Sequence, residues 1–506
     1  MAQAADILNQ NLSLDRLNEM RCFGGEVLTT GLNDDVIIDF ISHDEDLKKA
    51  IESGYIAFTE LKNSQPELLK LSESEQIKKA QSGIVNFYAK DMVNPYLAIS
   101  ALGPWIVTLK GAVVYDCGGY GMLGLGHAPK IALDAMKKSH VMANVMTPSI
   151  SQMEFIQTLK NEIGQSRNDN LNFSEFCCLN SGSESVTIAA RLADVNAKEL
   201  TAKGAKHEGK SISRLTLSGS FHGRTDRPAQ FSDSTNDSYK KYLKSYENNN
   251  NLLTVEPNDT KTLEVIFRNA EKENVFIEAF FMEPVMGEGN PGQAITPEFY
   301  TAARQLTKEH GTLMLIDSIQ AGLRAHGVLS IIDYPGFEKL ECPDMETYSK
   351  ALNAGQFPLS VLAMTGRAAE LYRAGIYGNT MTSNPKALDV AIAVINYLSP
   401  KIRKNIRERG KELILKLNQL SEELDKDITN VQGTGLLASC ELNDHFKCSG
   451  SNSTEEYLRK HGLGVIHGGA NSLRYTPHFQ MTSSEVDLIV NLTKDALING
   501  PKENNI

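Results

Sequence analysis

Residues 1–95 are polar, with apolar positions recurring at helical spacing. In "SHDEDLKKAIESGYIAFTELK" Ser42 stands as an N-cap candidate, with acids in the turn that follows. Ser72 and Glu75 have capping-box spacing ahead of "QIKKAQSGIVNFY". The pattern predicts a helical N-terminal extension that wraps a partner subunit or its own domain. From Ile106 the texture changes. Short apolar runs ("AVVYD", "FCCL", "RLTL", "AFFMEP", "TLMLID") are each followed by Gly, Ser or Pro and then by a helical stretch. Strands alternating with helices predict βα units and a mostly parallel sheet buried on both faces. From Asn384 the pattern is helical again, through "PKALDVAIAVINYL" and a charged helix from Lys401. A mixed α+β segment around "GTGLLASCEL" and "NSLRYTPHF" then closes the chain. The stretches "KSYENNNNLLTVEPNDT" and "KGAKHEGKS" read as surface loops.

Composition narrows the class. The 506 residues exceed one simple core, and 41% hydrophobic with 22% charged residues is an ordinary globular mix. A net charge of -11 argues against a nucleic-acid partner. Seven cysteines are scattered without a C-x-x-C pair, which predicts reduced thiols in a cytoplasmic protein and no zinc site. No H-E-x-x-H or Walker A pattern occurs, and no metal is expected. The N-terminus lacks an apolar run long enough for a signal peptide, and no run reaches the roughly 18 residues of a membrane span.

Four loops follow predicted strands, where ligands bind in open parallel sheets. In "CCLNSGSESVTIAARLADVNAK" a strand ends at Asn180-Ser181-Gly182-Ser183 and a helix follows. A glycine, a hydroxyl and a helix N-terminus suit a phosphate, though a βα turn with a serine cap has the same look. In "GTLMLIDSIQAG" an apolar run ends in Asp317, with Gln320 three residues on; an N-cap or a structural ion pair is the plainer reading. "SGSFHGRT" presents Phe221 and His222 between small residues, with Arg224 placed to hold a carboxylate, or forms a surface turn around a packed aromatic. In "YSKALNAGQFPLSVL" Lys350 enters an apolar stretch. A lysine under cover is a counter-ion, an imine former, or a snorkelling side chain on a helix. "AVVYDCGGYGMLGLGH" carries Gly119, Gly121 and Gly124 in dinucleotide-site order after a strand. That site needs a helix opening there and an acid about 20 residues on. Pro129 points to a later helix start, and "MANVMTPSIS" holds no acid.

In this order the motifs resemble the class III aminotransferases, fold-type I pyridoxal-phosphate enzymes that include ornithine, 4-aminobutyrate and lysine ω-aminotransferases. The likeness spans residues 100 to 490 and rests on "NSGSES", "SFHGRT", "MEPVMGEGN", "IDSIQAG", "YSKAL", "YGNTMTSNP" and "SLRYTP". It implies an α/β fold: a large domain with a mostly parallel seven-stranded sheet flanked by helices, plus a smaller α+β domain. The expected divisions are an extension (1–95), a segment packing with the small domain (96–145), the large cofactor domain (146–385) and the small domain (386–506). The resemblance implies that Lys350 carries pyridoxal 5'-phosphate as a Schiff base and that Asp317 pairs with its ring nitrogen. Gln320 would bond the phenolic oxygen, and Gly182 and Ser183 the phosphate, with Thr380 reaching in from the other subunit of a homodimer. Phe221 would stack on the ring with His222 among the cofactor contacts, and Glu283 would sit behind it. Arg474 would grip an α-carboxylate, Arg224 a far carboxylate, and Glu288 would cover Arg474 when an ω-amine is bound. Tyr120 matches a substrate tyrosine. The implied reaction is transamination between an amine or ω-amino acid and a 2-oxo acid, 2-oxoglutarate or pyruvate. A racemase or aminomutase, a non-catalytic cofactor-binding protein and a dehydrogenase are the other readings. Departures from the family pattern are Ser318 in place of a glutamate, Thr382-Ser383 in place of two glycines, and the length of the extension.

Overall fold

A computed structural model describes residues 2–503 apart from 142–145, 168–172, 248–250 and 426. Five helices open the chain: α1 (Ala2–Arg21), α2 (Asp34–Ile41), α3 (Glu45–Ser64), α4 (Pro66–Lys70) and α5 (Glu73–Ala80). Ser42 is not an N-cap; it closes α2, and α3 is capped by Asp44, which accepts from the Asp46 and Leu47 N–H groups. Asp44 Oδ1 alone serves two orphan N–H groups of the first turn, while the Ser42 hydroxyl is turned back to donate to the Asp39 carbonyl of α2. Ser72 and Glu75 form the capping box of α5.

The extension packs on its own chain. Strands β1 (Ala98–Leu102), β2 (Trp105–Thr108) and β3 (Val113–Asp116) form an antiparallel meander beneath α3. Gly54 lets α3 approach closely, since a Cβ there would stand 3.1 Å from Val107 Cγ1. Phe40 meets Trp105 edge-on at 5.0 Å between centroids. The buried ammonium of Lys110 donates to the Gly24, Leu69 and Leu71 carbonyls, satisfying backbone left open where α4 ends.

After β3, helices α6 (Lys130–Met136) and α7 (Ile150–Glu162) precede the main sheet. Its strands are β4 (Phe173–Leu179), β5 (Ser211–Leu217), β6 (Leu252–Val255), β7 (Val275–Met282), β8 (Leu313–Asp317), β9 (Met345–Tyr348) and β10 (Ser360–Thr365). They run in the order β4-β10-β9-β8-β7-β5-β6, with β10 alone antiparallel to its neighbours. The central strands β7, β8 and β9 are buried almost throughout, as a sheet covered on both faces requires. The stretch read as one loop from Lys244 to Thr260 contains β6, which pairs parallel with β5. As a half-covered edge strand it carries too short an apolar run to stand out.

The last segment adds β11 (Ile428–Thr434), β12 (Leu437–Leu442), β13 (Leu463–Gly464), β14 (Ile466–Gly468) and β15 (Ser472–Tyr475). Four of these make an antiparallel sheet ordered β11-β12-β15-β14. The fifth, β13, leaves it to pair parallel with β3, tying the end of the chain to its beginning. No helix among the described residues is long and apolar enough to cross a membrane.

Candidate active site

The carboxyl ends of β4, β5, β7, β8 and β9 open onto one cavity of about 400 Å³, and β10, running the other way, starts there. Its walls bring together Gly182, Ser183, Phe221, His222, Glu283, Asp317, Gln320 and Lys350. Residues far apart in sequence thus meet because each follows a strand of one sheet.

Asp317 ends β8 and is buried. One of its oxygens faces His222 Nδ1 at 2.8 Å, and the other accepts from the Ile319 N–H at 3.1 Å. His222 is held in turn by Thr216 Oγ1, 3.1 Å from Nε2. The carboxylate is therefore fixed in orientation. Glu283, one residue past β7, accepts from the Phe221 and Gly287 N–H groups at 3.1 and 2.9 Å. Burial pushes its pKa up to about 7.

Lys350 stands two residues past β9, with a backbone φ of +48°. A non-glycine residue in the left-handed region is strained and persists only where its surroundings fix it. Burial, and next the charge of Arg474, lower its pKa to about 8, against the attraction of Glu288, Asp317 and Glu283. The neutral amine is thus accessible near physiological pH.

On the phosphate side, Gly182 and Ser183 form the first turn of α8 (Gly182–Leu200), capped by Ser181 and Glu184 in a capping box. The N-terminal end of a helix carries partial positive charge. A Cβ on Gly182 would lie 2.5 Å from Ile319 Cδ1, and one on Gly223 2.5 Å from Ser183 Oγ, so both glycines keep this corner open. Thr380 is exposed on a loop and lines no wall of its own chain's cavity.

Arg474, on the buried strand β15, donates to the Gly287 carbonyl and to Gln320 Oε1 at 3.3 Å. Its Nε is buried without a protein partner. Its guanidinium lies over the Tyr120 ring, 5.6 Å from the centroid. Glu288 does not pair with Arg474: its ion-pair partner is Arg224, at 3.6 Å. Arg474 is drawn inward by its two neutral acceptors, whereas Arg224 and Glu288 share the partly exposed mouth, Arg224 lying 5.4 Å over the Phe221 ring. Tyr120 lines a neighbouring cavity. The Gly118–Gly124 run opens no helix, because α6 starts only after Pro129. This removes the basis of the dehydrogenase reading.

Sequence reasoning missed several residues here. Thr216 supports His222, and the fully buried Arg324 donates to the Gly121, Leu436 and Pro477 carbonyls. Ser318 Oγ donates at 2.6 Å to Glu346, a buried acid at about pKa 7 that also accepts from Ser330 and the Ile331 N–H. Glu346 stands in the fully buried β9, whose mixed sequence Met-Glu-Thr-Tyr hid this network.

The family profile of class-III aminotransferases matches residues 87–497. The acetylornithine aminotransferase of Neisseria meningitidis serogroup B is 30% identical over 401 residues, 78% of this chain and 92% of that one. Ornithine aminotransferase 1 of Staphylococcus saprophyticus is 27% identical, over 63% of this chain and 74% of that one. Among solved structures, the ornithine aminotransferase of Toxoplasma gondii ME49 superposes with a TM-score of 0.70 at 18% identity, covering 87% of this chain and 98% of that one. The acetylornithine aminotransferase of Elizabethkingia anophelis gives 0.67 at 22% identity, covering 84% and 99%.

Proposed function

Since this chain belongs to the class-III aminotransferases, pyridoxal 5'-phosphate enzymes, we propose that it moves the amino group of an amine or ω-amino acid to a 2-oxo acid, 2-oxoglutarate or pyruvate. The reading is carried by one observation: Lys350, with a lowered pKa, and Asp317, its oxygens fixed by His222 and Ile319, share one cavity. The residues fit the cofactor. Gly182, Ser183 and the N-terminus of α8 would hold its phosphate in the corner that a Cβ would fill. Phe221 and His222 would flank the ring, Gln320 would meet its phenolic oxygen, and Glu283 would sit behind. Once bound, the cofactor supplies an electron-poor ring that accepts the electron pair released at the substrate carbon.

The chain's own groups do the rest. The Asp317 carboxylate, held by His222 and the Ile319 N–H, would keep a proton on the cofactor's ring nitrogen, since a buried negative charge favours the protonated partner. Lys350 Nζ, half neutral at about pH 8, would take the proton from the amine-bearing carbon and deliver it to a second carbon, the net shift that amino transfer requires. Arg474 would bind the substrate carboxylate by exchanging its neutral acceptors, the Gly287 carbonyl and Gln320 Oε1, for it. Arg224 releases Glu288 to take a second carboxylate. Relatives named for acetylornithine and ornithine support a donor with a carboxylate at the end away from the reacting amine. The dimer, with Thr380 serving the partner's site, and a cytoplasmic location belong to the same proposal; the free cysteines support the latter.

The test follows amino transfer from an ω-amino acid to 2-oxoglutarate by the cofactor-loaded protein. We expect one new amino acid per donor consumed. Lys350→Ala should fold, as seen by circular dichroism, and lose about 10²–10⁴-fold or more in rate. With a chiral amine as donor, racemisation without transfer would instead favour the racemase reading.

A further inference from the structure

The segment that joins the helical extension to β1 carries an aromatic ring to the edge of the active site. Residues 81–90 are exposed with one exception, Tyr88. Val85 and Phe87 stand 98% and 78% exposed beside it. Burial of apolar surface alone would have turned Phe87 or Val85 inward first. Tyr88 turns in instead and stacks on Tyr120, 6.0 Å between centroids at 20°.

Tyr120 stands in a wall between two cavities. Met122 lines the catalytic cavity, while Gly118, Gly119 and Tyr120 line a second one of about 450 Å³. Between them, a Cβ built on Gly121 would lie 3.9 Å from Lys350 Cδ. The wall is clamped: the Gly121 N–H donates to Thr476 Oγ1 at 3.2 Å, and the Gly121 carbonyl accepts from Arg324 at 3.3 Å. Tyr120 is held there at a left-handed φ of +53°. Its backbone is therefore fixed, and what sets its ring is the guanidinium of Arg474 and the stacked ring of Tyr88. Tyr88, Tyr96 and Asn94 are among the other walls of the second cavity, which has the volume of a drug-sized ligand pocket.

We propose that Tyr88 determines donor specificity: its stacked ring holds Tyr120 against Arg474 and closes the second cavity to the substrate. The site then takes donors with a slim aliphatic chain ending in a carboxylate and excludes arylalkyl chains. Tyr88 acts through Tyr120 as a positioning residue, and this rests on the transaminase reading above.

The experiment compares the cofactor-loaded wild type with Tyr88→Phe and Tyr88→Ala. Two donors, 5-aminopentanoate and 4-phenylbutylamine, are assayed, and the affinities of two unreactive acids, pentanoate and 5-phenylpentanoate, are measured by calorimetry. In Tyr88→Ala the KM for 5-aminopentanoate should rise about tenfold with kcat within about twofold, as for loss of ground-state contacts. The same variant should bind 5-phenylpentanoate about tenfold more tightly, and the KM for 4-phenylbutylamine should fall to match. Tyr88→Phe keeps the stacked ring and loses only the hydroxyl that meets Tyr120, and should shift in the same direction by less than Tyr88→Ala. Shifts of the same sign for slim and bulky ligands, or no shift, overturn the proposal. Should Tyr88→Ala fail to fold, Tyr88→Leu carries the same expectation and the same refutation. If the wild type transfers no amino group at all, the transaminase reading falls, while the calorimetric pair still decides the role of Tyr88.

Discussion

Lys350 is placed by its strand and tuned by its neighbours. Its left-handed backbone follows β9, and cover together with the positive charge of Arg474 brings its amine to about 8 from an ordinary value of 10.5. The neutral amine is the nucleophile, so its reactivity rises with pH and levels off above the pKa. In protein stripped of cofactor, labelling of the Lys350 peptide by trinitrobenzenesulfonate should follow a midpoint of about 8. Surface lysines should still be rising at roughly pH 10. Arg474→Met removes the repelling charge and should move the midpoint upward; a wild-type midpoint of about 10 would refute the assignment of Lys350 as a tuned base. Asp317 was legible in the sequence because it ends an apolar run that had to be a strand, and strand ends are where a parallel sheet binds ligands, whereas Lys350 stood out as a cation entering an apolar stretch. The groups that tune them were not. The bond between His222 and Asp317 joins residues 95 apart, and the Tyr88 ring reaches Tyr120 through a segment with no periodicity. Local patterning records which face a residue takes and leaves its distant partner open.

Among the elements, those with continuous burial were the readable ones. β7 and β8 are apolar along nearly their whole length, whereas β6, an edge strand with one covered residue in four, was hidden inside a polar stretch. The start of α3 was missed by two residues for a related reason: Ser42 and Asp44 are both good caps by type, and tertiary contacts decide between them. Asp44 Oδ1 accepts the N–H groups of Asp46 and Leu47, while its Oδ2 accepts the indole N–H of Trp105 at 2.7 Å. One carboxylate thus starts the helix and fastens it to β2. Removing a cap costs about 0.5–2 kcal/mol, and losing a bond to a charged acceptor about 1.5–3 kcal/mol. Asp44→Ala should therefore destabilise the protein by about 2–5 kcal/mol. Trp105 is the chain's one tryptophan, so urea unfolding followed by its fluorescence reads this junction directly. Asp44→Asn keeps one carbonyl oxygen for the cap but sets its amide N–H2 against the indole N–H, and should recover only the capping part of the loss; full recovery in Asp44→Asn would show that the carboxylate does not join α3 to β2.

At the scale of the whole molecule, the exposed Thr380 acquires a role only if a second copy completes the site. Its neighbour Asn379 donates at 2.6 Å to Glu184, the last residue of the capping box on α8, so the loop is anchored beside its own chain's phosphate corner while Thr380 faces away. On the proposal that Thr380 serves the partner, Thr380→Ala should weaken cofactor retention without changing the unbound fold. A mixed dimer separates the two arrangements. Pair one subunit carrying Lys350→Ala with one carrying Thr380→Ala. If Thr380 acts across the interface, the Thr380→Ala subunit keeps its lysine and borrows an intact threonine, so one site of the two is wild type. Its partner site lacks both. Transamination per mixed dimer should then reach about half the wild-type value, with one cofactor held at wild-type affinity; general acid–base loss of about 10²–10⁴-fold silences the other site. If Thr380 acts within its own chain, neither site is whole, and mixing restores nothing. Tagging the two subunits differently and purifying the doubly tagged species makes that comparison independent of how well the subunits exchange.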